Sequence, residues 1–187
     1  MIEMMKSTLV IGGCRSGKSS HALSLADGLG ARPKTFVATC TAQDEEMRGR
    51  IQRHQQERGA EWQTLEVPIE IAAAITSRGD QAGLILIDCL TLWISNMMMA
   101  EADDTTILKE CQKLCDVLKA PPCPIILVSN EVGAGIVPEN ALARRYRDLT
   151  GWVNQRIAAA CQCVIWMVAG IPFTIKPQAI DTCDQKV

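Results

Sequence analysis

The chain has 187 residues, 48% of them hydrophobic and 21% charged, with a formal net charge of −2. That length suits one domain spanning residues 1–187 with a substantial core, and the composition is that of an ordinary soluble globular protein. A near-neutral charge without a block of five like charges offers no field to DNA or to an anionic membrane, so no nucleic-acid partner is expected.

The opening MIEMMKSTLVIGG carries Glu3, and its short apolar stretch runs straight into glycine, which makes a poor signal peptide. Residues 1–6 carry no motif and are expected to fray. STLVIG (7–12) is continuously apolar rather than alternating, the pattern of a strand buried on both faces. After the loop GGCRSGKS (12–19) the pattern turns helical over 18–29, and KTFVAT (34–39) reads as the second strand. Residues 43–58, QDEEMRGRIQRHQQER, suit a polar helix on which Met47, Ile51 and His54 share one face. WQTLEV (62–67) is a weaker strand, followed by a helix over 68–77 and the strand GLILIDC (83–89).

The run LILIDCLTLWISNMMMA looks membrane-like, but Asp88 and Asn96 interrupt it, and about 20 apolar residues are needed to span a bilayer. It is read instead as a buried strand leading into a helix over 91–99, with no membrane span. A helix over 105–119 ends in the proline turn KAPPCP. The strand PIILVSN (124–130) leads to the glycine-containing loop VGAGIVPEN. A helix over 139–160 follows, opened by Pro138 or Glu139. On it Leu142, Tyr146, Leu149 and Val153 share an apolar face, leaving the arginines on a solvated one. CVIWMVAG (163–170) is read as the last buried parallel strand, FTIK (173–176) as a weaker one, and the tail 178–187 as frayed.

This alternation predicts an α/β fold: a single-domain P-loop (RecA-like) chain with a mostly parallel sheet and helices on both faces. The nine cysteines form no C-x-x-C pair and lie mostly inside apolar runs. They are expected to be buried free thiols in a reducing cytosol.

Gly12, Gly17, Lys18 and Ser19 match the spacing G-x-x-x-x-G-K-[ST], with a strand before and a helix after. In such a loop, Gly12, Gly13, Cys14, Arg15, Ser16 and Gly17 turn backbone N–H groups toward one anion, and the helix N-terminus adds its dipole. Lys18 reaches the β- and γ-phosphates of a nucleoside triphosphate, and the Ser19 hydroxyl ligates Mg²⁺. Asp88, closing its strand, suits the other Mg²⁺ ligand, although an aspartate there could also cap the following helix. On periodicity alone His54 reads as a surface imidazole.

The motifs GG-x-RSGKS, DEEMRGRIQRH-x3-R, W-x-T-x-E, DCLTLW-x-SN and NEVG-x-GIVPEN-x-LAR-x-x-RDL-x-G-x-VNQ together resemble the bifunctional adenosylcobinamide kinase / adenosylcobinamide-phosphate guanylyltransferase family over residues 7–176. The departures are small: Cys14 stands where the loop often has Ala, and Tyr146 where Phe is common. The resemblance implies that His54 is the nucleophile that accepts GMP from GTP. It also implies nucleotide contacts at Ala38, Thr39, Cys40, Gln55, Gln56, Glu57, Arg58, Glu66 and Asp88.

An imidazole nitrogen is a competent nucleophile at neutral pH, and the nearby arginines suit phosphate oxygens. The family further implies a cytoplasmic enzyme of adenosylcobalamin assembly. Its substrates are ATP, GTP, adenosylcobinamide and adenosylcobinamide phosphate, it uses Mg²⁺, and it forms a homotrimer. The loop 131–140 and the helix after it are left to the corrinoid or to a neighbouring subunit.

Overall fold

Short apolar runs without a polar alternate have to be covered on both faces, and the computed structural model, which describes residues 6–40, 59 and 61–177, places them in one sheet. Its strands are β1 (Ser7–Gly12), β2 (Lys34–Ala38), β3 (Trp62–Glu66), β4 (Leu84–Asp88), β5 (Ile125–Asn130), β6 (Cys163–Val168) and β7 (Ile171–Lys176). Their order is β3-β2-β4-β5-β1-β6-β7. Every pairing is parallel except the β6–β7 hairpin. The described helices are α1 (Lys18–Gly28), α2 (Ile71–Arg78), α3 (Leu90–Met99), α4 (Asp104–Lys119) and α5 (Ala141–Ala160).

β4 shows why the strand sequences look as they do. Ile85 and Ile87 join the core under α2, α3, α4 and α5, whereas Leu84 and Leu86 join the core under α1. Leu127 and Val128 in β5 divide in the same way, as do Leu9 and Val10 in β1. Each strand therefore needs apolar residues at consecutive positions, and the expected α/β sheet with helices on both faces is what forms. α1 seats the fully buried Ala22 and Ala26 against its face, small residues that let the helix lie close to the strands. α4 starts with Asp103 accepting the Thr106 N–H at 2.7 Å and ends at the predicted proline turn.

Three expectations need correction. α5 starts at Ala141 rather than at Pro138 or Glu139, because the Asn140 side chain caps it, accepting the Ala143 N–H at 3.0 Å. Its arginines lie at the surface, exposed or half-exposed, but three of them are engaged rather than merely solvated. Arg144 donates to the carbonyls of Pro138 and Glu139, Arg145 to Asp104 and to the Ala102 carbonyl, and Arg147 to the Gly133 carbonyl. They hold the chain entering the helix, while Leu142, assigned to the apolar face, is exposed.

The third correction concerns β6. It pairs with β1 as a parallel strand should, but Trp166 and Val168 are exposed, and the chain reverses at Ala169 and Gly170 into an antiparallel β7. Positive φ at both turn residues, 50° and 84°, suits a tight hairpin.

All cysteines among the described residues are free, and Cys89, Cys111, Cys115, Cys123, Cys161 and Cys163 are buried. Burial pushes the Cys161 thiol up to about 12, as expected of a packing residue rather than a reactive one. No described helix is long and apolar enough to cross a membrane. The predicted helix over 43–58, Cys183, residues 1–5 and the tail 178–187 lie outside the described residues.

Candidate active site

Strand register assembles the site. Ala38 pairs with both Glu66 and Asp88, Asp88 pairs with Val128, and Gly12 pairs with both Asn130 and Met167. The carboxyl ends of β3, β2, β4, β5 and β1 thus form one edge of the sheet, where an open α/β sheet takes its ligands. Four residues singled out from the sequence, Gly12, Ala38, Glu66 and Asp88, stand along it. At ~4.8 Å between strands, the Asp88 strand end stands about 10 Å from the β1 end and the Glu66 strand end about 19 Å from it.

The loop between β1 and α1 is built around two glycines with different tasks. A Cβ on Gly12 would lie 2.6 Å from the Met167 carbonyl oxygen, so only glycine fits against β6. Gly17 has φ 87° and is the N-cap of α1, a left-handed position that glycine takes at little cost. No side chain caps α1 and its first turn holds no acid. The first-turn N–H groups, together with the helix dipole, therefore suit an anion.

Lys18 is buried, and its ammonium folds back to donate to the Gly13 carbonyl at 2.9 Å, inside the loop. Cys14 and Arg15 are exposed at the loop's outer turn. Ser16 Oγ is buried and has no hydrogen-bond partner among the described residues. The same holds for His21 Nε2, on the first turns of α1.

Thr39, expected as a ligand contact, is fully buried with its polar groups engaged. Its hydroxyl donates to the Cys89 carbonyl at 2.8 Å and accepts the Cys89 N–H at 2.9 Å, and its carbonyl accepts from Asn96 Nδ2 at 2.7 Å. Asn96 also donates to the Pro68 carbonyl at 3.0 Å. Thr39 and Asn96 thereby lock the ends of β2, β3 and β4 together and hold the backbone on either side of Asp88. The N-cap of α3 is Cys89, with no side-chain capping hydrogen bond, and Asp88 directly precedes it at the end of β4. Burial first, then the Asp88 carboxylate, pushes the Cys89 thiol up to about 11, so this cysteine stays protonated and is no nucleophile at neutral pH.

Ser19 and Asp88 offer a hydroxyl and a carboxylate, hard oxygen donors that fit Mg²⁺ when phosphate oxygens and waters complete its shell. Among the described residues no group of three His, Cys, Asp or Glu forms a protein-only cage.

At the end of β5 the structure separates roles that the local sequence pattern does not. Ser129 Oγ donates to Asn154 Oδ1 at 2.6 Å, and Asn130 Nδ2 donates to Thr91 Oγ1 at 2.8 Å. The Glu131 N–H donates to the Gly12 carbonyl at 3.0 Å, joining this loop to the first residue of the phosphate loop. The motif NEVG-x-G marked the region without distinguishing these roles, because the partners lie in β1, α3 and α5.

On the outer side of the sheet, Glu66, Val67, Pro68 and Glu70 line an open groove of about 740 Å³ beside α2. Cys40 is half-buried just beyond β2. His54, Gln55, Gln56, Glu57 and Arg58 lie outside the described residues.

Comparison with known proteins identifies the family of the chain. A family profile described as cobinamide kinase / cobinamide phosphate guanyltransferase matches residues 8–175. The bifunctional adenosylcobalamin biosynthesis protein CobP of Pseudomonas aeruginosa is 42% identical over 172 residues, covering 92% of this chain and 98% of the relative. The bifunctional adenosylcobalamin biosynthesis protein CobU of Salmonella typhimurium is 40% identical over 181 residues, covering 90% and 98%. Among solved structures, a prototypical ATPase from the type III secretion system of pathogenic bacteria superposes with a TM-score of 0.53 at 10% identity, over 87% of this chain and 51% of that one. At that identity the likeness concerns the fold alone.

Proposed function

The chain belongs to the cobinamide kinase / cobinamide phosphate guanyltransferase family, and on that premise we propose that one phosphate-binding edge serves both of its reactions. It is an enzyme of adenosylcobalamin biosynthesis with kinase and guanylyltransferase activities. The division of labour among its residues is our reading. The observation that carries it is the loop from Gly12 to Ser19, with Lys18 turned inside it and the Asp88 strand end two sheet positions away.

In the kinase reaction the terminal hydroxyl of adenosylcobinamide attacks the γ-phosphorus of ATP or GTP. The bond from that phosphorus to the β-bridging oxygen breaks, and the nucleoside diphosphate leaves. Lys18 and the N–H groups of the loop stabilise the oxygens on which charge develops. Lys18 exchanges its Gly13 carbonyl for phosphate when the nucleotide enters. Mg²⁺, held by Ser19 and Asp88, would neutralise phosphate charge.

In the second reaction an imidazole nitrogen of His54 attacks the α-phosphorus of GTP and expels pyrophosphate, leaving GMP on His54 through a phosphorus–nitrogen bond. The phosphate of adenosylcobinamide phosphate then attacks that phosphorus, the phosphorus–nitrogen bond breaks, and adenosylcobinamide-GDP departs. Gln55, Gln56, Glu57, Arg58 and Glu66 hold the nucleotide for this step, with Ala38, Thr39 and Cys40 shaping the neighbouring edge. The proposed setting is the cytoplasm, where both nucleotides are supplied, and the proposed assembly is a homotrimer.

GTP labelled at its α-phosphorus tests the transfer half. The wild-type protein is expected to acquire a covalent label that is labile to acid and stable to base, and His54→Ala to acquire none. Equal labelling of His54→Ala would place the nucleophile elsewhere. Absence of label in the wild type would leave a kinase alone.

A further inference from the structure

A hydroxyl that attacks a phosphoryl group must lose its proton, and neither Lys18 nor Ser19 is suited to receive it. The strand between the phosphate-loop strand and the Asp88 strand is β5, so its carboxyl end lies on the ligand edge of the sheet between the loop and Asp88. Three polar residues stand there. Ser129 is fully buried and bonded to Asn154. Asn130 is bonded through its side chain to Thr91, and its carbonyl accepts from Asn154 Nδ2 at 3.1 Å. Neither is a base, and both are committed to packing.

Glu131 differs on each count. Its backbone N–H is fixed to the Gly12 carbonyl at 3.0 Å, one strand spacing from the loop. Its Oε1 accepts the Gly133 N–H at 2.6 Å, which orients the carboxylate, while Oε2 has no hydrogen-bond partner among the described residues. The turn that orients it is braced in its own right, since Arg147 of α5 donates to the carbonyls of Gly133 and Gly135. A carboxylate anchored by one oxygen and open at the other, on a backbone tied to the phosphate loop, has the preorganisation a general base needs.

We propose that Glu131 is the general base of the kinase half-reaction, and this rests on the kinase reading above. Oε2 accepts the proton of the acceptor hydroxyl as the new oxygen–phosphorus bond forms and the bond to the leaving diphosphate breaks. The protonated carboxyl then returns its proton to solvent. Asp88 is a poorer choice, because it stands a further strand from the loop and is the proposed metal ligand. The transfer half needs no such base, since the imidazole of His54 attacks without losing a proton.

The test compares Glu131→Gln and Glu131→Asp with wild type in two assays, phosphorylation of adenosylcobinamide by ATP with Mg²⁺ and self-labelling by GTP labelled at its α-phosphorus. Glu131→Gln is expected to lower the kinase kcat about 100-fold, within the range for removing a general base, while the KM for ATP stays within about threefold. Self-labelling should stay within about twofold. Glu131→Asp should recover about a tenth of the wild-type kcat, since it keeps the base on a shorter arm. The inference is overturned if Glu131→Gln phosphorylates at the wild-type rate, or if both assays fall together. A wild type that self-labels but does not phosphorylate adenosylcobinamide would instead remove the kinase reading.

Discussion

A single methyl group separates two neighbouring glycines of the phosphate loop. A Cβ on Gly12 would lie 2.6 Å from the Met167 carbonyl oxygen and 2.7 Å from Ser16 Oγ, whereas a Cβ on Gly13 would meet nothing within 4 Å. Backbone does not yield as a flexible side chain does, so Gly12→Ala must push β6 and the loop apart. We expect it to cost about 2–3 kcal/mol, the scale of overpacking in a dense interior, and to weaken nucleotide binding because the displaced loop is the cradle. Gly13→Ala should change stability by no more than about 0.5 kcal/mol. Urea unfolding of both variants measures the difference, and equal midpoints would refute it. The motif announces that Gly12 must be glycine, but it does not announce that the strand behind the loop is a reason. That contact spans 155 positions in sequence, and no local pattern records it.

Between the ends of β2 and β4 the decisive group is one hydroxyl. Thr39 Oγ1 is buried and both gives and receives a hydrogen bond with the Cys89 backbone. Thr39→Val preserves the shape and leaves a buried N–H and a buried carbonyl without that partner, each costing about 1–3 kcal/mol. A loss of about 2–4 kcal/mol is expected, with reduced kinase turnover as the backbone beside Asp88 relaxes. Thr39→Ser keeps the hydroxyl and gives up one buried methyl, about 0.8 kcal/mol. Thermal or urea melts separate the two, and a Thr39→Val protein as stable as Thr39→Ser would show that the bridge contributes little.

Elements of this kind divide cleanly into legible and illegible. β1, β2, β4, β5, α1 and α4 were readable because apolar runs, the glycine loop and a proline turn are local signals. Asp88 was placed correctly at a strand end for the same reason. The bracing role of Thr39, the task of Asn96, the arginines that clamp the entrance to α5 and the orientation of Glu131 were not readable. Each depends on a partner that only the folded sheet brings near.

At the scale of the whole molecule the unusual surface is the β6–β7 hairpin. Trp166 pairs across it with Phe173, and Val168 with Ile171, and their exposures are 46%, 62%, 46% and 68%. A contiguous apolar face of this kind is the usual signature of an interaction surface, and we propose that a second copy of the chain covers it in the proposed trimer. The hairpin is also tied to the chemistry, because the Gly170 N–H at its turn donates to the Ser16 carbonyl at 3.1 Å. Covering the hairpin would then steady the phosphate loop from behind.

The double substitution Ile171→Lys with Phe173→Glu tests this, because it puts two charges on the face while leaving the exposed strand's backbone pairing intact. Light scattering is expected to give the mass of three chains for wild type and of one chain for the variant. Nucleotide affinity should fall several-fold in the monomer, since the turn behind Ser16 loses its support. A variant that stays trimeric would place the subunit contact on another face. A monomeric variant with unchanged affinity would mean that the turn holds the loop without help from a neighbour.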